Sequence, residues 1–258
     1  MLLHVILGVY AALLGLIVGS YLNVVVYRLP RGVSTVLPRS RCPACGAPIR
    51  ARDNLPVVSY LLLGGRCRAC REPISWRYPL LEAATGLLFV GCLERFGLAP
   101  EALAGAIFGS LMIVLAAIDA EHMILPDRLT LPGIAVGLAL QPWLDWGVGL
   151  SAALLGAALG AGILLAIWGL WYLVRHEEGM GLGDVKMLAL VGAFLGWKGV
   201  LVTLFFGALT GAAIGLLLMR REGLGLKSKL PFGTFLALGG LLSLFAGQAI
   251  ADAYLGLL

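Results

Sequence analysis

Long stretches without a charged residue dominate the chain. Residues 2–27, 103–118, 129–144, 148–174, 199–219 and 230–251 are apolar almost throughout. Several of these stretches reach the roughly 20 residues that a helix needs to cross a bilayer. Lipid offers no partner to bare backbone groups, so such segments must be helices or barrel strands. Unbroken apolar runs lack the alternation of a barrel strand. The pattern therefore predicts an all-α polytopic membrane protein with about eight transmembrane helices. The expected spans are 2–27, 78–96, 101–119, 129–144, 148–175, 184–197, 199–219 and 231–256. The sixth is too short to span unaided and is expected to tilt, sink at one end, or run into the seventh through residues 196–199. The first run lacks the basic start and small-residue cleavage site of a signal peptide and is read as a retained helix. Frequent Gly and Ala allow close backbone approach between helices, and no internal repeat is convincing.

Composition agrees: 60% of residues are hydrophobic and 13% charged, against about 25% charged in an ordinary soluble domain. The net charge of +5 would suggest nucleic acid, but its distribution argues otherwise. Ten arginines lie between Arg28 and Arg77, and Arg128, Arg175, Lys186, Arg220, Arg221, Lys227 and Lys229 fall in later connections. Threading eight spans puts these on one side and leaves Arg95 and Lys198 on the other. That is the positive-inside pattern, with the basic side cytoplasmic and both termini outside. No aromatic interleaving accompanies the charge, so no nucleic-acid partner is expected.

Residues 28–77 interrupt the membrane pattern with a polar loop too small to build its own core. Cys42 and Cys45 form one C-x-x-C motif, and Cys67 and Cys70 form a second. Four thiolates at this spacing suit a tetrahedral zinc ion in a zinc-ribbon-like module. Gly46, Ala44 and Ala69 suit the tight turns that aim the sulfurs, and nearby arginines offset the negative site. Two disulfides or a thiol redox centre are the competing readings, but disulfides rarely persist in the cytoplasm. With four protein ligands there is no open position, so the zinc would be structural. Cys92, inside an apolar helix, is a packing residue. The chain thus divides into a first helix (1–27), a cytoplasmic four-cysteine loop module (28–77) and a transmembrane core (78–258).

Two acids stand out against the apolar background. Asp119, in "IDAEHMILPD", ends the third span, and Asp184, in "GMGLGD", starts the sixth. Tracing the spans puts both at one membrane face, and ionisable residues at such depth default to function. Neighbouring carboxylates cannot both ionise cheaply and can share one proton. That arrangement suits peptide hydrolysis, in which one activates water and the other polarises the scissile carbonyl. Gly181 and Gly183 would let an extended substrate approach Asp184 and supply backbone angles that aim its side chain. Asp127 would cap the fourth span or support Asp119, and Lys186 lies beside the site. Either aspartate alone reads as an ordinary helix-end acid; the pair favours chemistry. Glu121, His122 and His176 raise a metal site but lack a rigid ligand spacing. Glu82, near the start of the second span, tolerates burial only by finding a partner or the membrane interface.

In combination these segments resemble the bacterial type IV prepilin peptidases, the bifunctional leader peptidase/N-methyltransferases of pilus and type II secretion systems. The resemblance runs through "GSYLNVVVYRLP", the paired C-x-x-C module with "NLPVVSYLLLGGRC", "ISWRYPLLEAATG", "IDAEHMILPDRLTLP", "GMGLGDVKMLALVGAFLGW" and "PFGTFLALGG". It implies an eight-helix aspartic membrane peptidase of the Gly-x-Gly-Asp type in the inner membrane, active near the cytoplasmic face. Type IV prepilins or type II secretion pseudopilins would be cut after a glycine that ends a short basic leader. The new N-terminus would then be methylated from S-adenosylmethionine. Asp119 and Asp184 would be the catalytic pair and the four cysteines the zinc ligands. Family members often read "PFGP" where this chain has Thr234, a change expected to have little consequence. No nucleotide fingerprint marks the methyl-donor site, for which Gly65 and Asn54 in the loop are candidates. The basic leader would be drawn by Glu121, Asp127, Glu177, Glu178 and Asp184.

Two readings from other classes compete. A proton- or cation-coupled transporter would use the buried acids but leaves the cysteines and glycines without a role. A non-enzymatic scaffold would use the zinc module to dock a partner.

Overall fold

The computed structural model describes residues 1–176, 181–222 and 230–256. Among the described residues the chain forms eight α-helices and no extended strand; two isolated bridges, Arg41 with Pro48 and Arg66 with Pro73, lie in the cysteine loop. The helices are α1 (Leu2–Arg28), α2 (Val58–Leu62), α3 (Arg77–Phe96), α4 (Pro100–His122), α5 (Asp127–Leu140), α6 (Gly149–Arg175), α7 (Leu182–Glu222) and α8 (Phe232–Leu255).

Five stretches among the described residues are long and apolar enough to cross a membrane: Leu2–Arg31, Pro100–His122, Gly149–Arg175, Leu182–Arg221 and Phe232–Leu255. Three physical features separate this number from the eight expected spans. α3 carries Arg77, Glu82, Glu94 and Arg95 in 20 residues. α5 has only 14 residues. The sixth and seventh expected spans follow one another as the two arms of α7, with non-helical backbone at Gly196 between them.

The chain forms two compact units, Met1–Ala102 and Leu103–Leu258. In the first, α3 packs along α1. Gly19 makes the closest approach: a Cβ there would lie 2.7 Å from the Glu82 Cα. Buried Asn23 donates from Nδ2 to the Tyr78 carbonyl at 3.0 Å. Glu82 has found the partner its burial demanded. Its Oε2 accepts the Val57 backbone N–H at 2.7 Å, clamping a turn in which Val57 has φ 61° and ψ −48°. Val, β-branched, is disfavoured at such a φ, so α3 holds in place a loop conformation that the local sequence resists. Cys92 is 1% exposed and packs as expected.

The second unit is built around the first arm of α7. Met187, Leu188, Leu190, Val191, Ala193 and Phe194 have no exposure at all. A helix apolar all round is an interior helix. Phe108, Met112, Leu115 and Ile118 of α4 recur at helical spacing and are equally buried, as is Leu236 of α8. α6 meets α7 through small residues: a Cβ on Gly192 would sit 2.2 Å from the Gly156 backbone. In lipid such close packing, and not water exclusion, holds helices together.

α7 breaks at Gly196, whose φ of 67° and ψ of −174° lie outside any helix. Glycine has no Cβ to forbid that angle. The break frees carbonyls of the preceding turn, and Gln141 takes them up. Its Nε2 donates to Ala193 O at 2.9 Å and to Phe194 O at 3.1 Å, and the side chain is 2% exposed. An unpaired buried carbonyl costs about 1–3 kcal/mol, so this single amide stabilises the bend that ends the Asp184 arm.

Candidate active site and metal centre

Asp119 lies in the last turn of α4 and Asp184 in the first turn of α7; they are 5% and 8% exposed. The two carboxylates lie close enough to repel each other electrostatically. The fold brings these two acids, 65 positions apart in sequence, near one another.

Each acid is held by backbone N–H groups, Asp119 by those of α8 and Asp184 by that of its own turn. Asp119 Oδ2 accepts the Thr234 N–H at 2.8 Å, with the Thr234 hydroxyl at 3.3 Å and the Gly233 N–H also directed at the carboxylate. Asp184 donates its N–H to Gly181 O at 3.2 Å, and the Gly181 N–H turns back toward its carboxylate. Leu125 joins the two arrangements. A Cβ on Gly183 would meet Leu125 Cβ at 2.8 Å, and one on Gly233 would meet Leu125 Cδ1 at 2.9 Å and Asp119 Oδ2 at 3.0 Å.

These contacts correct the expected role of the glycines. Gly183 does not adopt a positive φ, so it does not aim Asp184 through left-handed backbone. Gly183 is small because Leu125 occupies the space of a side chain. Gly181 is exposed, and among the described residues a Cβ there would meet nothing nearer than 3.9 Å. Asp127 begins α5 and pairs with Lys186, two residues beyond Asp184. Its charge is therefore offset, which weakens the acidic cluster expected to attract a basic leader. Glu177 and Glu178 of that cluster lie outside the described residues, as do Lys227 and Lys229. His122 Nε2 is 3.9 Å from Glu121 Oε2, and neither residue belongs to a metal-ligating cluster among the described residues.

In the other unit the four expected cysteines converge. One ligand atom from each of Cys42, Cys45, Cys67 and Cys70 lies within 4.8 Å of every other. The Cys42 and Cys70 sulfurs are 3.9 Å apart. Four sulfurs at about 2.3 Å from a central zinc would be separated by ~3.8 Å, so the donor set fits that ion. The protein pre-arranges it through two matching knuckles. Cys42 N–H donates to Ala47 O and Gly46 N–H to Cys42 O; Cys67 N–H donates to Glu72 O and Arg71 N–H to Cys67 O. Residues 40–49 and 65–74 thus repeat at an offset of 25, "SRCPACGAPI" against "GRCRACREPI". This internal repeat corrects the expectation that the chain has none.

The thiols also behave as a group that wants a cation. Backbone N–H groups of Cys70 and Ala69 lower the Cys67 thiol to about 7. Against the pull of the Glu72 N–H, burial and the three neighbouring sulfurs push Cys70 up to about 12. Bunched sulfurs resist ionising together without a positive charge among them. Arg68, beside the knuckle, pairs with Asp53 at 2.7 Å and holds that carboxyl below the usual range. Asn54 follows the short turn Ala51–Asp53, and Gly65, with φ 67°, follows α2; a Cβ on Gly65 would sit 3.0 Å from the Tyr60 hydroxyl.

Family models divide the chain along the same lines. Residues 13–96, with all four knuckle cysteines, match the bacterial peptidase A24 N-terminal domain. Residues 106–216, with Asp119 and Asp184, match the type IV leader peptidase family. A prepilin leader peptidase/N-methyltransferase of Burkholderia pseudomallei (strain 1026b) is 41% identical over 263 residues, covering 92% of this chain and 85% of that protein. The chain belongs to the type IV leader peptidase family. Proteins of the same name from Pseudomonas putida and Pseudomonas aeruginosa are 39% and 38% identical, covering 96% and 94% of this chain and 93% and 91% of theirs. No solved structure gives a significant match.

Two residues that build the site and one that shapes the arm carrying Asp184 have roles the sequence did not assign. Thr234, expected to matter little, is the hydrogen-bond donor to Asp119. Gln141 caps the α7 break, and Leu125 fills the space beside Gly183. Only Thr234 left a signal, as a departure from "PFGP"; the other two look like ordinary loop and helix-end residues.

Proposed function

We propose that this protein is a membrane aspartic endopeptidase that removes the short basic leader of type IV prepilin-like proteins after its terminal glycine. The convergence of Asp119 and Asp184 on one buried site carries the reading, and the family membership supplies the substrate class. The pair holds one proton. The ionised carboxylate takes a proton from water as the oxygen attacks the glycine carbonyl, while the protonated one stabilises the developing oxyanion. Collapse of the tetrahedral intermediate passes a proton to the departing amine and returns the pair to its starting state. Asp127 and Lys186 flank the entrance, and exposed Gly181 admits the extended leader backbone.

The remaining assignments extend that core. α3, α5 and the two arms of α7 complete eight spans, tilted or part-sunk where short. The basic connections put the loop module (28–77) and the dyad on the cytoplasmic side of the inner membrane, with both termini outside. The apolar helix of the pilin would lie among the spans of the core (78–258). A structural zinc on Cys42, Cys45, Cys67 and Cys70 would cross-link the loop module; its knuckle geometry supports this. S-adenosylmethionine would donate the methyl group to the newly freed amine, with Gly65 and Asn54 in the loop as the candidate donor site.

Incubation of the purified protein in detergent with a prepilin tests the proposal. A product shortened by the leader, with its N-terminus 14 mass units heavier when the methyl donor is added, is the expected result. Asp119→Asn and Asp184→Asn should each abolish shortening in protein that still inserts and carries zinc. Normal processing by either variant removes the dyad from the mechanism.

A further inference from the structure

Thr234 sits in the first turn of α8, 115 residues from the acid it touches. Its N–H divides between Pro231 O at 3.2 Å, the ordinary start of a helix, and Asp119 Oδ2 at 2.8 Å. Its hydroxyl lies 3.3 Å from the same Oδ2 and 3.2 Å from Ala116 O on α4. A hydroxyl has one proton to give and two lone pairs to receive. It can donate to an ionised Asp119, or turn to the Ala116 carbonyl and accept from a protonated one. The backbone N–H remains on Oδ2 in both states. Gly233 leaves this face open, because any side chain there would press on Oδ2.

All the donors named here from Thr234 converge on one oxygen. We infer that Thr234 is a positioning residue of the dyad, occupying Oδ2 of Asp119 so that Oδ1 is left to exchange the proton with Asp184 and the attacking water. The inference rests on the dyad reading above and adds to it which oxygen reacts and what fixes it. Proline at this position would lack the N–H and the hydroxyl together. This chain therefore anchors its acid by a contact that a "PFGP" sequence cannot make.

Three variants separate anchoring from general support. Thr234→Ser keeps both donors, Thr234→Val keeps the N–H and the shape, and Thr234→Pro removes both donors at a first-turn position where proline is tolerated. Purified proteins are compared by prepilin cleavage, with kcat and KM resolved. Thr234→Ser should match the parent. Thr234→Val should lose about tenfold in kcat, the worth of one hydrogen bond to a charged group, with KM unchanged. Thr234→Pro should lose about a hundredfold in kcat on the same argument. Unchanged kcat in Thr234→Val, or a change confined to KM, overturns the inference. Should Thr234→Pro fail to fold, the Ser and Val pair still decides it. Asp119→Asn in the same assay tells the two ideas apart. If that variant is inactive while Thr234→Val is normal, only the anchor is wrong; if it cleaves normally, the dyad itself fails.

Discussion

The cysteine module and the aspartate site solve the same problem by opposite routes. Both gather groups that repel one another. The module draws its four ligands from 29 consecutive positions and holds each pair with a knuckle of local hydrogen bonds. The aspartate site draws on three helices and a connecting loop, with Asp119, Leu125, Asp184 and Thr234 spread over more than a hundred residues. The module is local and closed around a space that fits an ion. The aspartate site depends on the long-range packing of α4, α7 and α8.

If this contrast is right, removing metal should strike one unit hard. Chelation of the purified protein is expected to expose residues 28–77 to trypsin, because the loop has little apolar core to hold it. Its many arginines supply the cleavage points. Faster proteolysis confined to that segment marks the metal as structural. Loss of prepilin cleavage with unchanged proteolysis would instead place metal in the reaction.

The second unit should be most sensitive where its helix is broken. Gln141→Ala strands the Ala193 and Phe194 carbonyls and should cost about 2–4 kcal/mol, read as a lower unfolding midpoint in detergent. An unchanged midpoint means the α7 break holds itself. Gly183→Ala is expected to have a smaller and more local effect. The new Cβ collides with Leu125, displaces the Asp184 turn, and should reduce kcat by about ten- to a hundredfold. Leu125→Ala added to Gly183→Ala should recover part of the loss; no recovery refutes the contact as its cause.

The smallest effect belongs to the second knuckle. Arg71 stands at φ 62° where its counterpart is Gly46 at φ 71°. A non-glycine residue pays about 1 kcal/mol in that left-handed region. Arg71→Gly should therefore slow chymotrypsin digestion of the module slightly, and faster digestion would show that the arginine side chain contributes more than its backbone costs.

The same contrast explains what could be read from the sequence. The four cysteines were legible because two C-x-x-C pairs carry their geometry in their spacing. The 25-residue repeat went unnoticed because Gly46 and Arg71 differ, although their backbones agree. Asp119 and Asp184 were legible as charges in an apolar setting, and their meeting follows from tracing spans. Their anchors were not. The Thr234 contact depends on how α8 packs on α4, and the need for Gln141 arises only once Gly196 has broken α7. Counting spans by apolar length alone was equally limited. α3 is apolar on average yet charged at both ends, and α7 gives no sequence sign of whether its two arms are separate.

The measurement that bears most directly on the account is a double-mutant comparison of prepilin cleavage by Asp119→Asn, Asp184→Asn and the combined variant. Two acids that work as one unit lose nearly everything when either is altered, so the combined variant should fall within about threefold of the singles. Losses that multiply, or a single variant that cuts at the parent rate, would contradict it.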